Sequence, residues 1–377
     1  DATPDDIERL FPKTKPVGKS FGVVLVRDGR CVTEIATFRE EGAYTDKRRP
    51  DEVRFSDARA AAKRRDFTIN ALFLAPLDTQ SDERGRVIDF VGGLEDLEGR
   101  IVRAVGDPDE RLSEDHLRAL RAVRFASRFG FPIEGATERA IRAHARELEG
   151  VSRERVGDEL RRILAHPNRS AGAELIQRLH LDGPVLHDQA PLDTPVHTLA
   201  SLAPEADAML ALAAWATDRL QAATGGAPTA EQAAGIVGRL RSALVLANDE
   251  TQRLRDLLVH ADALESGWES ATVAQRKRWG GHPVCAEALG LLRARSPESA
   301  DGIARDIQVL TQTPSGLSPT PVITGDDLVD AGYRPGPSFG KWLEDLYDAQ
   351  LEDRLSTRDE ALAWLRERAG APENGNS

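Results

Sequence analysis

RLSEDHLRALRAVRFASRFGF, residues 111–131, is the stretch around which the rest of the chain is arranged. Leu117, Leu120 and Val123 recur at helical spacing, which predicts a single amphipathic helix over the whole stretch. Asp115 and Arg118 stand three residues apart, so they would project from neighbouring points on one face of that helix. The stretch therefore predicts an acid and a guanidinium side by side on a helix surface.

The chemistry of this pair allows two interpretations. A fixed carboxylate offers hydrogen-bond acceptors and a guanidinium offers a planar fork of donors, and together they match the hydrogen-bonding edge of a nucleobase. The alternative is an intrahelical ion pair on a wet surface, which stabilises a helix by only about 0.2–0.5 kcal/mol. The pair alone favours the second interpretation.

Two longer motifs favour the first. RRDFTINA at 64–71 and EDHLRALR at 114–121, which has the pattern EDxxRxxR, occur in this order with VIDFVGG at 87–93 between them. In this order they closely resemble the class II tRNA nucleotidyltransferases, which are the CCA-adding enzymes, and their relatives the bacterial poly(A) polymerases. The resemblance extends from residue 1 to about residue 165 and continues more weakly to the C-terminus.

The resemblance implies an α+β fold in which a partial nucleotidyltransferase head, a mixed sheet of the polymerase-β type, precedes an all-α neck, body and tail. We expect the head in residues 1–97 and a helical neck with the nucleobase-selecting helix in 98–165. A helical body in 166–300 and a helical tail that binds the tRNA elbow in 301–377 would follow. Length agrees, because 377 residues suffice for two to four domains.

Local patterns add detail. FGVVLVRDGRCVTEIATFRE at 21–40 predicts a hairpin that turns at Asp28-Gly29, whereas the polar, basic residues 39–65 predict a mobile loop. By resemblance, this loop helps to switch specificity from C to A; the alternative is a solvated basic loop. In the second half, stretches rich in Ala and Leu and separated by Pro and Gly predict five further helices, at 204–223, 229–246, 249–266, 281–295 and 299–311.

Charge and composition limit the function classes. The net charge is −12, but residues 171–377 hold 18 Lys and Arg against 30 Asp and Glu, while residues 1–170 hold 32 of each. We therefore expect a nucleic-acid surface in the first half, where arginines cluster.

The sequence contains no apolar run that could span a membrane and no leader, which predicts a soluble cytoplasmic protein. Two cysteines, Cys31 and Cys285, predict buried free thiols, and no obligate protein partner is evident.

The first residue is Asp1, and DATPDDIERLFP resembles the helix that follows the catalytic strand in this family. The family's glycine-rich turn and the DxD pair that holds two metal ions would lie before Asp1. The resemblance thus implies Mg²⁺ as cofactor, no metal ligand in this chain, and a chain that is inactive without that segment. Glu34, in the second strand of the hairpin, is either a third catalytic carboxylate or a surface acid of an edge strand.

The same resemblance assigns the binding residues. Sugar and triphosphate recognition belongs to the RRDFTINA motif, base recognition to Asp115 and Arg118, and the positioning of Arg118 or another arginine to Glu114. Arg121 orients the pair, contacts the triphosphate or supports the pocket. The nucleotide-binding set is therefore Arg64, Arg65, Asp66, Asn70, Asp115, Arg118 and Arg121. Four further arginines are either RNA contacts or solvated helix faces, namely Arg124, Arg128, Arg153 and Arg155.

The function implied is template-independent addition of CCA to tRNA 3′ ends from CTP and ATP by two-metal nucleotidyl transfer. Sister activities share much of the pattern: addition of CC only, addition of A only, or poly(A) synthesis. A noncatalytic RNA-binding fragment is the alternative from a different class.

Overall fold

The structure is a computed structural model that describes residues 2–16, 22–41, 53–55, 57–74, 85–187, 194–225 and 230–369. Two compact units divide the chain, one of residues 1–193 with 242–245 and the other of residues 194–241 with 246–377. Helices predominate, and a small set of strands lies at the start of the first unit. This confirms the α+β class, whereas the finer division into head, neck, body and tail stays a prediction.

The first unit opens with helix α1 (Pro4–Leu10) and a three-stranded antiparallel sheet, β1 (Thr14–Pro16), β2 (Val23–Asp28) and β3 (Cys31–Ala36), in the order β1-β2-β3. Pairing of Asp28 with Cys31 confirms the hairpin and makes Gly29-Arg30 its two-residue loop. Gly29 has φ +57°, a backbone conformation that glycine adopts without strain. Ile7, Val24 and Val26 form the small core between α1 and this sheet.

Within the predicted loop, the described residues 39–41, 53–55 and 57–65 include regular secondary structure. Strand β4 (Arg39–Glu41) pairs with β5 (Val53–Phe55), and helix α2 (Ala58–Lys63) follows. Asp57 caps this helix by accepting a hydrogen bond from the Ala60 amide at 2.8 Å, and the alanine-rich sequence ARAAAK favours the helix. The prediction of one mobile loop was therefore wrong for these parts, and its centre, residues 42–52, lies outside the described residues.

After α2 comes a 3₁₀ turn (Thr68–Asn70), the strand pair β6 (Phe73–Leu74) and β7 (Val87–Ile88), and helix α3 (Gly93–Glu98). The chain makes a tight turn at Gly92-Gly93, since Gly92 has φ +83° and a Cβ on Gly93 would lie 2.2 Å from the Thr68 carbonyl oxygen. Asp89 accepts hydrogen bonds from the amides of Val91, Gly92 and Leu94. Burial raises the pKa of Asp89, but these amides outweigh burial and leave it below its usual value.

The remaining helices of the first unit are α4 (Pro108–Glu114), α5 (Arg118–Phe129), α6 (Gly135–Ala143), α7 (Arg153–Leu164), α8 (Arg169–Arg178) and α9 (Asp182–Leu186). The single helix predicted over 111–131 was wrong, because the chain leaves helical geometry at Asp115, which has φ −155° and ψ 103°. Leu120 and Val123 are fully buried on α5, which packs against α7 and α8.

Helices are the only regular secondary structure among the described residues of the second unit. The five predicted helices are confirmed with shifted ends, as α11 (Ala208–Thr224), α12 (Ala230–Leu244), α13 (Asn248–Gly267), α15 (Cys285–Arg295) and α16 (Pro297–Thr311). Around them lie α10 (His197–Ala200), α14 (Val273–Gly280), α17 (Gly325–Asp330), α18 (Phe339–Leu351) and α19 (Arg358–Ala369). In the part of the chain that the structure describes, no helix combines the length and apolar character that crossing a bilayer requires.

The two thiols differ in exposure. Cys285 is buried as predicted, but Cys31 is exposed on β3, so the expectation of a buried thiol was wrong for Cys31. The edge position of β3 in the described sheet explains the difference, because one side of an edge strand lacks a neighbour.

We expect a thiol reagent to modify Cys31 at least about 100-fold faster than Cys285 in the folded protein. Burial raises the pKa of Cys285 to about 11 from 9.0, which lowers its thiolate fraction about 100-fold, and the thiolate is the reactive form. Mass spectrometry after brief iodoacetamide treatment at pH 8 measures both sites, with the denatured protein as the control. Equal labelling of both thiols in the folded protein would contradict the buried position of Cys285.

Candidate nucleotide-binding site

The site is built where α4 ends and α5 begins. Asp115 occupies the break, and its Oδ1 accepts a hydrogen bond from the Leu117 amide at 3.1 Å. An aspartate side chain that binds an amide two residues ahead competes with helical hydrogen bonding, which explains why the helix stops there. Asp115 Oδ2 accepts a hydrogen bond from Arg155 Nη2 at 2.6 Å. The carboxylate is thus held at a fixed point ahead of α5.

Arg118, the first residue of α5, turns away from Asp115 toward the last turn of α4. Its Nη1 donates to Glu114 Oε2 and to the Arg111 carbonyl oxygen, both at 2.6 Å. Its Nη2 donates to the Arg64 carbonyl oxygen at 3.4 Å. Glu114 therefore positions Arg118, and Arg118 in turn contacts the backbone of the RRDFTINA segment.

This geometry corrects the expected pair. The structure does not place Asp115 and Arg118 on one face of one helix, since the break lies between them and each has its own partner, Arg155 and Glu114 respectively. The acid and the guanidinium still flank the same helix start. Their proposed role in base recognition stays a prediction, in which they approach a base from two sides of the break.

Arg111 is a member of this cluster that the sequence analysis missed. Its Nη1 donates to Glu114 Oε2 at 2.6 Å and its Nε donates to the Val105 carbonyl oxygen at 3.1 Å, so Glu114 is shared between Arg111 and Arg118. Burial lowers the pKa of Arg111, as does the nearby Arg118, while Glu114 raises it. The i to i+3 spacing of Arg111 and Glu114 was the signal that could have identified this pair.

Asp66 forms the centre of the second half of the site. It is 7 % exposed, and its Oδ1 accepts hydrogen bonds from the Phe67 amide at 2.8 Å and from Asn70 Nδ2 at 3.1 Å. Its Oδ2 accepts from Arg121 Nε at 2.7 Å and lies 2.5 Å from Arg121 Nη2. Asp66 thus holds Arg121 in an ion pair in which Nε and Nη2 share one carboxylate oxygen, and this two-point contact restricts the orientation of the guanidinium. A contact of Asp66 or Asn70 with a ribose stays a prediction.

Aromatic rings also join the two elements that the Asp66–Arg121 ion pair connects. Phe67 and Phe125 meet edge to face with their centroids 5.8 Å apart. The guanidinium carbons of Arg121 and Arg124 lie 5.7 and 4.2 Å from the Phe125 centroid. The RRDFTINA segment and α5 are therefore joined by an ion pair, a hydrogen bond and an aromatic contact. Arg65, by contrast, is exposed on this segment, and Arg64 is half-buried.

Of the four arginines considered for RNA contact, three use their guanidinium groups within the protein. Arg124 donates to the buried Glu159, and Arg155 pairs with Asp115. Arg153 donates to three backbone carbonyl oxygens, those of Ala243, Pro184 and Val185, at 2.6 to 2.9 Å. These contacts favour positioning roles for the three side chains, whereas Arg128 is exposed.

Glu34 lies apart from these clusters. It is exposed on β3 opposite Leu25, so it shares the sheet face away from the core formed by Ile7, Val24 and Val26. Among the residues that the structure describes, no three His, Cys, Asp or Glu side chains form a group that could hold a metal ion. The described side chains therefore do not fit a two-metal site by themselves, and the choice between a catalytic and a surface role for Glu34 stays open.

Comparisons with known proteins show which family the chain resembles. Residues 1–103 match the family described as "Poly A polymerase head domain", and residues 130–191 match "Probable RNA and SrmB- binding site of polymerase A". The CCA-adding enzyme of Streptococcus pneumoniae serotype 19F is 32 % identical over 97 % of this chain and 86 % of its own length. That of Lacticaseibacillus paracasei is 34 % identical over 94 % and 81 %. The crystal structure of the Bacillus stearothermophilus CCA-adding enzyme in complex with CTP matches with a TM-score of 0.74 and 25 % identity, and it covers 98 % of this chain and 87 % of that one.

Proposed function

The chain belongs to the family of CCA-adding enzymes, and from this membership we propose that it completes tRNA 3′ ends with C, C and A, using CTP and ATP. The reaction is a nucleotidyl transfer without a nucleic-acid template. The 3′ hydroxyl of the tRNA attacks the α-phosphorus of the nucleotide in line, a new phosphodiester bond forms, and pyrophosphate leaves. The hydroxyl proton is lost to solvent or to a base.

The observation that carries this proposal is the fixed acid and guanidinium at the start of α5. Cytosine and adenine each present an amino group next to a ring nitrogen, so one acceptor and one donor that reach the base edge from the two sides of the break match both bases. We propose that Asp115 accepts from the amino group and that Arg118 donates to the ring nitrogen. Asp115 can keep its bond to Arg155, because a carboxylate has about four acceptor sites.

The segment bound to α5 serves the rest of the nucleotide in this proposal. Arg64 and Arg65 precede Asp66 on the segment that contacts both Arg118 and Arg121. Guanidinium groups bind phosphate oxygens with two parallel hydrogen bonds, which suits a triphosphate. The base would thus lie at the break between α4 and α5, with its triphosphate toward the two arginines.

Nucleotidyl transfer uses divalent metal ions, and we propose Mg²⁺ for this protein, since it is the usual partner of nucleoside triphosphates. We further propose that the protein acts in the cytoplasm and needs no obligate protein partner. Contact of the C-terminal helices with the tRNA elbow remains part of the proposal.

Incubation of the protein with a tRNA that lacks its terminal CCA tests the function. We expect incorporation of two C residues from CTP alone, and of a single A after these when ATP is added. Sequencing gels resolve each product. A long A tail would instead indicate a poly(A) polymerase, which the family name of residues 1–103 keeps as a second candidate. Binding of tRNA without any incorporation would support the RNA-binding alternative.

A further inference from the structure

A pocket separate from the nucleotide-binding cluster lies between the C-terminal halves of α5 and α7. Its volume is about 310 Å³, and five polar residues contribute to its lining: Arg124, Ser127, Arg128, Arg162 and His166. Three of the five carry a guanidinium group. The pocket is therefore both large enough for a small polyatomic group and rich in positive charge.

One carboxylate is set among these three guanidinium groups. Glu159 is 2 % exposed and accepts a hydrogen bond from Arg124, and its Oε2 lies 3.5 Å from Arg162 Nη1. Three positive charges against one negative charge leave the pocket with a positive excess, and the buried Arg169 lies next to it, donating to the His166 carbonyl oxygen. Arg128 and Arg162 are exposed, so their charges face a ligand that arrives from solvent.

His166 adds a neutral donor. Its Nδ1 accepts a hydrogen bond from the Asn168 amide at 3.1 Å, an arrangement that assigns the ring hydrogen to Nε2. Burial lowers the pKa of His166, and the positive charges of Arg128 and Arg169 lower it further, so the ring is neutral at pH 7. The Asn168 side chain donates to the Ser127 carbonyl oxygen at 3.0 Å and so ties the loop after α7 to α5.

We propose that this pocket binds a phosphodiester group of the tRNA acceptor strand, an inference that rests on the proposed function. A phosphate offers several acceptor oxygens and a negative charge, which matches guanidinium and imidazole donors. Arg128 lies ten residues after Arg118 on the same helix, so the two are about 15 Å apart along its axis at about 1.5 Å per residue. Roughly four nucleotides of a stacked strand span this distance at about 3.4 Å each. The pocket would thus hold the strand a few nucleotides behind the end that is extended.

Replacement of Arg128 or of Arg162 by alanine tests the site, with Arg255→Ala as the matched control, because Arg255 is also an exposed helical arginine but lies outside the pocket and outside residues 130–191. We expect R128A and R162A each to weaken binding of tRNA lacking CCA about tenfold, as for loss of a charge-assisted hydrogen bond. The dependence of log K on log salt should become shallower by about 0.9, the value for one phosphate contact. R255A should change neither quantity appreciably. Melting curves show that each variant is folded.

A series of tRNAs, each with one neutral methylphosphonate linkage in the acceptor strand, locates the phosphate. One linkage should weaken binding to the unchanged protein and have no further effect on R128A. The proposal is overturned if R128A binds tRNA as R255A does, or if R128A loses affinity for inorganic pyrophosphate while its tRNA affinity stays unchanged. Absence of tRNA binding by the unchanged protein would overturn the proposed function as well, which separates the two failures.

Discussion

Replacement of Arg118 by alanine is expected to weaken the binding of CTP and ATP by about 1–3 kcal/mol, the range for a bidentate contact to a base edge. The reason lies in the geometry of its guanidinium, which Glu114 and the Arg111 carbonyl hold at the start of α5. Affinity for tRNA should change less than about twofold, because Arg118 is only 15 % exposed and offers little to a large ligand. Titration with each nucleotide and with tRNA measures the three affinities.

The matched control is Arg142→Ala. Arg142 forms an i to i+4 ion pair with Glu138 on α6, the same arrangement as Arg118 with Glu114, but it is 43 % exposed and lies outside the cluster. Arg118→Lys keeps the charge but loses the fork of donors, so it should be impaired nearly as much as Arg118→Ala. Equal losses of tRNA and nucleotide affinity, with an unchanged preference between CTP, ATP, UTP and GTP, would exclude the role given to Arg118.

The helical fold and the hairpin could be predicted because their signals are local. Apolar residues recur at helical spacing along α5, α7 and α8, and Asp28-Gly29 marks the turn between β2 and β3. The order of the RRDFTINA and EDxxRxxR motifs indicated the family, and family membership is now shown over nearly the whole chain. Residue types and spacing were sufficient for these conclusions.

The inner geometry of the site could not be predicted, because it depends on partners far apart in the sequence. Periodicity favoured one helix through Asp115, whereas the carboxylate binds the Leu117 amide and a guanidinium forty residues later, that of Arg155. The partner of Asp66 is likewise fifty-five residues away, at Arg121. Helix propensity and the spacing of apolar residues carry no information about such contacts. For this reason the sequence predicted a pair of Asp115 and Arg118, whereas the structure has two separate pairs.

The second large effect that we expect concerns the ion pair between Asp66 and Arg121 and the stability of the fold. Replacement of Asp66 by alanine should lower the free energy of unfolding by about 3 kcal/mol, at the low end of the range for removing one partner of a buried ion pair. The low end applies because the Arg121 side chain is 33 % exposed and water can solvate its charge once Asp66 is absent. The Phe67 amide and Asn70 would lose their acceptor as well. Urea unfolding of the two proteins gives the difference directly.

Asp66→Asn separates a positioning role from a ribose contact, since it keeps the shape and an acceptor oxygen but removes the charge that holds Arg121. We expect D66N to weaken CTP and dCTP binding by the same factor, because the damage lies in the orientation of Arg121 and α5 and not at the sugar. A double-mutant cycle of D66N with Arg121→Met should show a coupling of about 1–2 kcal/mol in stability, as for groups that share one ion pair. The opposite result would be that D66N loses the preference for CTP over dCTP while the coupling energy stays near zero. The buried carboxylate of Asp66 would then be a ribose ligand. The link between the RRDFTINA segment and α5 would in that case depend on the Phe67–Phe125 contact and on the hydrogen bond from Arg118 to the Arg64 carbonyl.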